Sequence, residues 1–188
     1  RNYRILIPTQ NKILNFGIEG KEIGGWEFKP TSHKIVTIPQ LLQLNNKDYI
    51  VFADLGGNVR VLNRKGEDRV KLQSSLPKNR PNYEVIINSN IQNSGVLTTD
   101  ENGTVFMVKL NDELETITIR AFSANHQFYV SNINNDKGKD IVFLDEGNIY
   151  AYKLSKKAIT EIKNIDFNPD FGVQFFHANN KVIYTLTH

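Results

Sequence analysis

The strongest constraint on the fold is a pattern that recurs five times along the 188-residue chain. Each copy has an apolar run, a short turn rich in Asn or Gly, and a second run that opens with a β-branched residue. The second runs begin at Ile13, Val59, Val105, Ile149 and Val182, which lie 46, 46, 44 and 33 residues apart. A period of this length indicates a repeat architecture in which each copy is one supersecondary unit.

Each complete unit contains four strand-like segments. In the second unit, an apolar segment at residues 39–44 precedes the paired runs, which open at Tyr49 and Val59. A second turn at residues 64–67 then leads to a further segment at 69–72. Gly and Asn in such tight turns supply the positive-φ conformations that two-stranded ribbons need. The sequence therefore predicts an all-β fold of four-stranded antiparallel sheets at intervals of about 45 residues.

The central runs are apolar on both of their faces. Residues 50–52 and 141–144 show no polar alternation, whereas residues 115–120 alternate between polar and apolar side chains. A strand buried on both faces needs another layer on each side, which favours the face-to-face blades of a β-propeller. We predict one domain over residues 1–188, an incomplete arc of four to five blades. The blade-like units are residues 1–30, 36–73, 83–121, 125–163 and 165–188.

Composition and charge exclude several classes of protein. The chain has no Cys, which excludes disulfides, thiolate zinc sites and thiol catalysis. Its longest apolar run, residues 49–53, is far shorter than the roughly 20 residues of a membrane span. The formal net charge is +3, and the densest basic stretch, residues 60–80, contains no aromatic residue and includes Glu67 and Asp68. Basic stripes with interleaved aromatics are typical of single-strand binding, so we predict no nucleic-acid partner.

Two units carry a resemblance to known families, through residues 48–62 and 140–152. Both have an Asp-flanked apolar run, a turn containing Gly-Asn, and a second apolar run. They resemble bacterial repeat propellers of the quinoprotein-like, WD-like and FG-GAP-like types. The stretch at residues 49–70 is also similar to the C-terminal propeller part of large envelope proteins of Gram-negative bacteria. The resemblance implies a propeller segment of a larger protein in an extracytoplasmic or cell-envelope location.

One loop resembles the calcium loop of FG-GAP repeats. The resemblance implies a cation held by Asn132, Asn134, Asp136 and Asp140, since calcium prefers oxygen ligands at alternate loop positions. An Asn stands at the first position, and Lys137 occupies a position where Gly is expected. The same composition is typical of an Asn- and Gly-rich turn that enters a strand, and we favour this interpretation with calcium as the alternative. We expect no other cofactor.

Other polar residues have a structural interpretation beside a functional one. Asp54, Asp100 and Asp145 each end a first run, and we expect them to accept turn amides. The alternative is that the three carboxylates converge on one rim. The histidines lack metal-ligand spacing and catalytic neighbours, so we expect surface or interface side chains. They are His33, His126, His177 and His188.

The aromatic residues have two interpretations as well. We expect packing between blades, which is the usual role of aromatics in such repeats. An exposed recognition patch is the alternative. The residues concerned are Trp26, Phe28, Phe171, Phe175 and Phe176.

The sequence predicts a non-enzymatic interaction or structural module that binds a protein or glycan partner through loops at one end. The long polar loop at residues 74–82 is the best candidate, and we expect Lys78, Asn79 and Arg80 to contact the partner. The alternative is part of a propeller enzyme, either a quinone-dependent oxidoreductase or a carbohydrate-active enzyme. The absence of Cys, the single Trp26 and the lack of a clustered acid/base pair all count against an enzyme.

The first and fifth units are incomplete in different ways. The first opens with the strand that contains Ile5 and closes with a strand at residues 23–28, so it lacks an innermost strand. The fifth has no outer strand after residues 182–186. These pieces do not complement each other, so we predict an open arc rather than a closed ring. An open arc exposes apolar faces, and we expect self-association, most simply as a symmetric dimer.

Overall fold

The computed structural model describes residues 3–78, 82–133, 138–154 and 156–162, together with the backbone of strands 173–178 and 181–186. Over these residues the chain is all-β and contains no helix, and hence none long and apolar enough to cross a membrane. The strands are β1 (Arg4–Pro8), β2 (Ile13–Gly17), β3 (Gln40–Leu44), β4 (Lys47–Ala53), β5 (Val59–Leu62), β6 (Asp68–Val70), β7 (Glu84–Ile86), β8 (Gly95–Thr99), β9 (Val105–Lys109), β10 (Leu114–Ile117), β11 (Gln127–Ser131), β12 (Asp140–Asp145), β13 (Asn148–Lys153), β14 (Ala158–Ile162), β15 (Val173–Ala178) and β16 (Lys181–Leu186).

These strands form five antiparallel sheets in the described part of the chain, and strands adjacent in sequence are adjacent in each sheet. Sheet 1 is β1-β2, sheet 2 is β3 to β6, sheet 3 is β7 to β10, sheet 4 is β11 to β14, and sheet 5 is β15-β16. The expectation of four-stranded antiparallel units is confirmed for sheets 2, 3 and 4. In sheet 1 the described residues begin with the strand that corresponds to the second strand of the other sheets.

The predicted strand at residues 23–28 is wrong. Only Glu22 forms a bridge, with Phe16, and Gly25 then takes a positive φ of 73°. Two adjacent glycines have no side chains to hold them in a sheet, so the chain turns away from β2. The turn places Trp26 against the hairpin that contains Gly66.

Five turns in the described part of the chain have the same five-residue form. The N–H of the first residue donates to the carbonyl of the fifth, and the N–H of the fourth donates to the carbonyl of the first. The fourth residue has a positive φ, which is typical of a hairpin with a G1 bulge. Gly has no Cβ and adopts this backbone without strain, which is why it occupies four of the five positions. These fourth residues are Gly20, Gly57, Gly66, Gly103 and Asp112.

The chain divides into two compact units. Unit 1 comprises Arg1–Thr98 and Phe106–Glu115, and unit 2 comprises Thr99–Val105 and Thr116–His188. In unit 1, sheet 2 has a hydrophobic cluster on each face. Ile50 and Phe52 belong to one cluster and Val51 and Ala53 to the other, and all four are almost completely buried. The prediction that this apolar run is covered on both faces is therefore confirmed.

The two clusters in unit 1 join consecutive sheets. The first cluster contains residues of sheets 1 and 2, and the second contains residues of sheets 2 and 3. Sheet 2 is thus packed between its neighbours in sequence. The first cluster is formed by Ile13, Ile35, Ile50, Phe52 and Leu62, with Leu6, Trp26 and Phe28 against it. The second is formed by Leu42, Val51, Ala53, Val59, Val61, Leu76, Tyr83, Val85, Val96, Val108 and Leu110.

Unit 2 is organised around aromatic rings on one face of sheet 4. Phe122 stacks on Phe143, with ring centroids 4.3 Å apart, and Tyr150 meets Phe122 edge-on. Phe122 also donates its N–H to the carbonyl of Asn102, in the turn between β8 and β9. Gly103 of this turn lies against the ring of Phe122, so the turn packs against the aromatic core of unit 2. On the opposite face of sheet 4, Val142, Leu144 and Ile149 form a separate cluster.

Candidate functional site

The candidate calcium loop connects β11 to β12. Asn132 is half-buried directly after β11, Asp140 opens β12, and Asn134 and Asp136 lie outside the described residues. Asp140 is 1% exposed, and its Oδ2 accepts a hydrogen bond from the N–H of Ile133 at 3.2 Å. Its Oδ1 is buried and has no hydrogen-bond partner in the part of the chain that the structure describes. Burial raises the pKa of the Asp140 carboxyl above its ordinary value.

A buried carboxylate with one unsatisfied oxygen is energetically unfavourable unless a proton or a cation compensates it. Calcium binds carboxylate and amide oxygens, so the chemistry of Asn132 and Asp140 fits a hard cation. Among the described residues, no group of three or more His, Cys, Asp or Glu side chains is placed to hold a metal ion. Any ligands beyond Asn132 and Asp140 would therefore come from amide or backbone oxygens or from residues 134–137.

The candidate binding loop is held at both ends. At its start, the N–H groups of Gln73 and Ser74 donate to Oδ1 of Asp112, at 2.8 and 2.9 Å. These bonds favour the charged carboxylate and lower the pKa of Asp112. At its end, the hydroxyl of Tyr83 donates to the carbonyl of Pro77.

The middle of the same loop is anchored by a buried side chain. Leu76 is 2% exposed and donates its N–H to the carbonyl of Gly57. Lys78 lies two residues further on and is exposed, whereas Asn79 and Arg80 lie outside the described residues. Of the three expected contact residues, the structure therefore places only Lys78, on the surface of an anchored loop.

The expectation for the three aspartates is confirmed at two of them. Oδ1 of Asp54 accepts the backbone N–H groups of Gly56 and Asn58, and Oδ1 of Asp100 accepts those of Asn102 and Thr104. Both carboxylates thus bind the amides of their own five-residue turns.

The expectation is wrong for Asp145. The hairpin after β12 turns through only two residues, Glu146 and Gly147, which both have positive φ. So short a turn presents no pair of N–H groups to the preceding carboxylate. Asp145 instead accepts the N–H and the hydroxyl of Ser123.

The two described histidines differ in environment. His33 has a half-exposed side chain with its Nδ1 3.9 Å from Oδ2 of Asp54. His126 is 1% exposed, and its ring lies 5.7 Å from that of Phe122 and 5.9 Å from that of Phe143, so it is a core residue and not a surface side chain. Its Nδ1 lies 2.6 Å from the carbonyl oxygen of Ser123 and its Nε2 lies 2.9 Å from Oγ1 of Thr99. Since a carbonyl only accepts, Nδ1 carries the proton. His177 and His188 lie outside the residues whose side chains are described.

The packing role expected for the aromatics is confirmed for two of them. Trp26 stacks on Phe28, and both lie against the cluster between sheets 1 and 2. The indole N–H of Trp26 donates to the carbonyl of Ile13, and the guanidinium of Arg60 lies 4.8 Å from the ring of Phe28. The side chains of Phe171, Phe175 and Phe176 lie outside the described residues.

A polar cluster around Asp48 was not foreseen from the sequence. Its side chain accepts hydrogen bonds from Nε of Arg64 and from the amide of Gln43, and its carbonyl accepts one from Arg69. The bond from Arg64 is the main reason that the pKa of Asp48 is lowered. These partners lie up to 21 residues from Asp48 and meet it through strand pairing, so the sequence offered no local signal.

For the inner edge of sheet 1, the sequence predicted only that the first unit lacks an innermost strand. In sheets 2, 3 and 4 the strand before the central hairpin pairs with it, as β3 pairs with β4. No strand in the described residues pairs with the corresponding edge of β1. Exposed aliphatic side chains lie on β1, at Ile5 and Ile7, and on the face of β3 that is directed towards sheet 1, at Leu41.

No family model matches the chain, and no curated protein is detectably similar to it in sequence.

Proposed function

We propose that the chain is a segment of a β-propeller that serves as a non-enzymatic interaction module of a larger protein. The observation that carries the proposal is the burial of sheet 2 on both faces, between the sheets that precede and follow it in sequence. Consecutive four-stranded meanders packed face to face are the building principle of propellers. The resemblance to envelope propellers is the reason for proposing a bacterial cell envelope as its location.

The proposed contact surface is the loop at residues 74–82. Asp112, Gly57 and Tyr83 hold residues 73–77 through hydrogen bonds, so these described residues have little conformational entropy to lose when a partner binds. Lys78 is exposed on this held segment, which suits contact with an anionic or hydroxyl-rich group on a protein or glycan. Variable loops on a rigid sheet framework are the usual location of binding in such folds.

The experiment is a binding screen on glycan and peptide arrays with the intact chain, followed by titration of the strongest binder. Lys78→Glu is expected to weaken binding about tenfold or more, a loss of about 1.4 kcal/mol. Lys71→Glu is the matched control, because Lys71 is exposed and undergoes the same charge change just before the loop.

Two results would contradict this proposal. Equal effects of Lys78→Glu and Lys71→Glu on binding would mean that the contact surface is not this loop. Turnover of a glycan, or a quinone absorbance band in the purified protein, would support the enzyme alternative, either a carbohydrate-active enzyme or a quinone-dependent oxidoreductase.

A second proposal concerns calcium, and the unsatisfied Oδ1 of Asp140 favours it. We propose that Asp140 binds a calcium ion together with Asn132 and, beyond the described residues, Asn134 and Asp136. Without the ion, the raised pKa means that ionised Asp140 destabilises the fold. This destabilisation is absent below the ordinary pKa of about 4 and is complete once the pH exceeds the raised value.

The calcium proposal is tested by thermal unfolding with and without calcium at several pH values. Calcium is expected to raise the Tm of the wild-type protein at neutral pH, and Asp140→Asn is expected to abolish this increase. The same substitution is expected to raise the calcium-free Tm at neutral pH, because it removes a buried charge. Asp136→Ala tests the loop separately from the buried carboxyl. No calcium-dependent shift in the wild type, with a higher Tm for Asp140→Asn, would identify a structural turn.

A further inference from the structure

Sheet 1 has two strands in the described residues, and, unlike in sheets 2, 3 and 4, no described strand pairs with the inner edge of its first strand, β1. The register establishes which residues correspond. Pro8 lies opposite Ile13 in sheet 1 as Ala53 lies opposite Val59 in sheet 2, so Leu6 corresponds to Val51 and Ile5 to Ile50. In sheet 2 these positions are covered, because Val51 pairs with Gln40 and Ile50 with Leu41.

The backbone of β1 presents hydrogen-bonding groups along this edge. The N–H of Thr9 donates to Lys12 at the hairpin end. Since bonding directions alternate along an antiparallel strand, the N–H and C=O of Leu6 point away from β2. Pro8 follows with a carbonyl and no N–H. Arg4 lies two residues before Leu6 and points its N–H and C=O the same way. The edge therefore offers three acceptors and two donors, which can pair with a single antiparallel strand.

An apolar surface lies beside the same edge. Leu41 is on the face of sheet 2 that packs against sheet 1, since it pairs with Ile50 of that cluster. It is nevertheless 53% exposed, whereas the corresponding residue of sheet 3, Val85, is 9% exposed. Val85 lies in one cluster with Leu42 of the inner strand of sheet 2. Leu41 thus continues an interface that is already packed, at the position where sheet 1 has no inner strand in the described residues.

We propose that the inner edge of β1 accepts one extended polypeptide strand, which pairs antiparallel with β1 and covers Leu41. The inner strands β3 and β7 define the chemistry of this partner. Each has a polar residue at the position that would face Leu6, followed by two aliphatic residues. The second aliphatic side chain lies opposite Arg4 and packs on Leu41, as Leu42 packs with Val85. These three-residue segments are Gln40-Leu41-Leu42 in β3 and Glu84-Val85-Ile86 in β7.

This inference goes beyond the proposed function, because strand pairing at β1 requires neither the loop at residues 74–82 nor calcium. A loop variant such as Lys78→Glu is expected to leave it unchanged. The loss of loop binding and the loss of strand binding are therefore separate results.

The probe is a synthetic peptide with the sequence of residues 37–44, carrying Leu41→Cys. The chain has no Cys, so Ile5→Cys introduces a single thiol. In the proposed register the two Cys residues form a non-hydrogen-bonded pair, whose Cα separation of about 4.5 Å suits a disulfide. Cross-linking in a thiol redox buffer is expected to be about tenfold greater than with a peptide that carries Gln40→Cys, whose side chain points to the opposite face.

A second measurement uses the unmodified peptide with a fluorescent label. Leu41→Asp in the chain is expected to weaken the binding of this peptide about tenfold. The reason is that an ionised carboxylate would then lie under the aliphatic side chain of the peptide that packs on this position. Leu114→Asp is the matched control, since Leu114 is 47% exposed on the outer strand of sheet 3. The control is expected to bind the peptide like the wild-type chain.

Three results would overturn the proposal. Equal cross-linking of the two peptides would mean that no defined register exists. Unchanged affinity of Leu41→Asp would mean that the strand does not cover this side chain. Disulfide-linked pairs of Ile5→Cys chains, formed in preference to the peptide adduct, would assign the edge to a second copy of this chain.

Discussion

At the scale of single residues, Asn15 has a buried and unfavourable environment in unit 1. It is 3% exposed in β2, and neither its side-chain nitrogen nor its oxygen has a hydrogen-bond partner among the described residues. The corresponding residues of β5 and β9 are Val61 and Met107, both buried and apolar. The repeat therefore favours an apolar side chain at this position.

We expect Asn15→Val to increase the free energy of unfolding by about 1–3 kcal/mol, the usual cost of a buried unsatisfied amide. Urea denaturation monitored by Trp26 fluorescence measures the change. Asn63→Val is the control and is expected to decrease the free energy of unfolding, because Oδ1 of Asn63 accepts hydrogen bonds from the N–H groups of Lys65 and Glu67. A lower stability for Asn15→Val would show that Asn15 has a stabilising partner in the folded protein.

At the scale of elements, the five-residue turns have the same backbone but different surroundings. Gly20 and Gly57 are each the fourth residue of a five-residue turn, with φ of 74° and 77°. A Cβ at Gly20 would meet no atom within 4 Å, whereas a Cβ at Gly57 would overlap the carbonyl of Leu76. The pair therefore separates backbone strain from steric overlap.

We expect Gly20→Ala to cost about 1 kcal/mol, from the left-handed backbone alone. Gly57→Ala is expected to cost about 3 kcal/mol or more, because the overlap adds to the same strain. Thermal and urea unfolding of the two variants give the comparison. Equal losses would mean that the segment around Leu76 moves away freely, which would contradict the anchoring of the loop at residues 74–82.

The same loop gives a prediction on pH. Because the pKa of Asp112 is lowered in the folded protein, its contribution to stability is present above the ordinary carboxyl value and is lost as the pH falls through the lowered one. Asp112→Gly keeps the positive φ of 67° but removes the acceptor for Gln73 and Ser74. We expect this variant to be less stable than the wild type at neutral pH, with a smaller decrease in stability below about pH 4.

Asp112→Asn serves as the control for that experiment. It retains an acceptor oxygen of similar shape, so it is expected to keep more of the neutral-pH stability than Asp112→Gly while also losing the acid dependence. An acid response of Asp112→Gly identical to that of the wild type would contradict the assignment.

At the scale of the whole molecule, the outer face of sheet 1 has exposed apolar side chains in a row. Tyr3, Ile5 and Ile7 are 77%, 47% and 43% exposed on one side of the strand. The corresponding face of sheet 2 is buried by sheet 1. Contiguous apolar surface of this kind marks a site of association.

We therefore expect the chain to self-associate as its concentration increases, and Ile7→Lys to reduce this association. Sedimentation velocity over a concentration series measures it, with Leu114→Lys as the control at an equally exposed leucine of β10. A strict monomer at high concentration would contradict this prediction, and so would equal effects of the two substitutions.

The sequence by itself determined the central strands of this protein and the chemistry of the turns at Asp54 and Asp100, although not the segment at residues 23–28 or the turn after Asp145. The apolar run at residues 50–52 and the second runs opening at Val59 and Val105 predicted central strands, because burial on both faces leaves a continuous hydrophobic signature. Turn chemistry is also local, so the roles of Asp54 and Asp100 followed from the residues beside them.

Only the tertiary structure decided which polar groups meet. Asp145 binds Ser123, 22 residues away, and Asp48 binds Arg64, 16 residues away. The open edge beside Leu41 is likewise defined by the registers of sheets 1 and 2. Such contacts depend on strand pairing and sheet packing between distant segments, which leave no periodic trace in the sequence around any one of the residues involved.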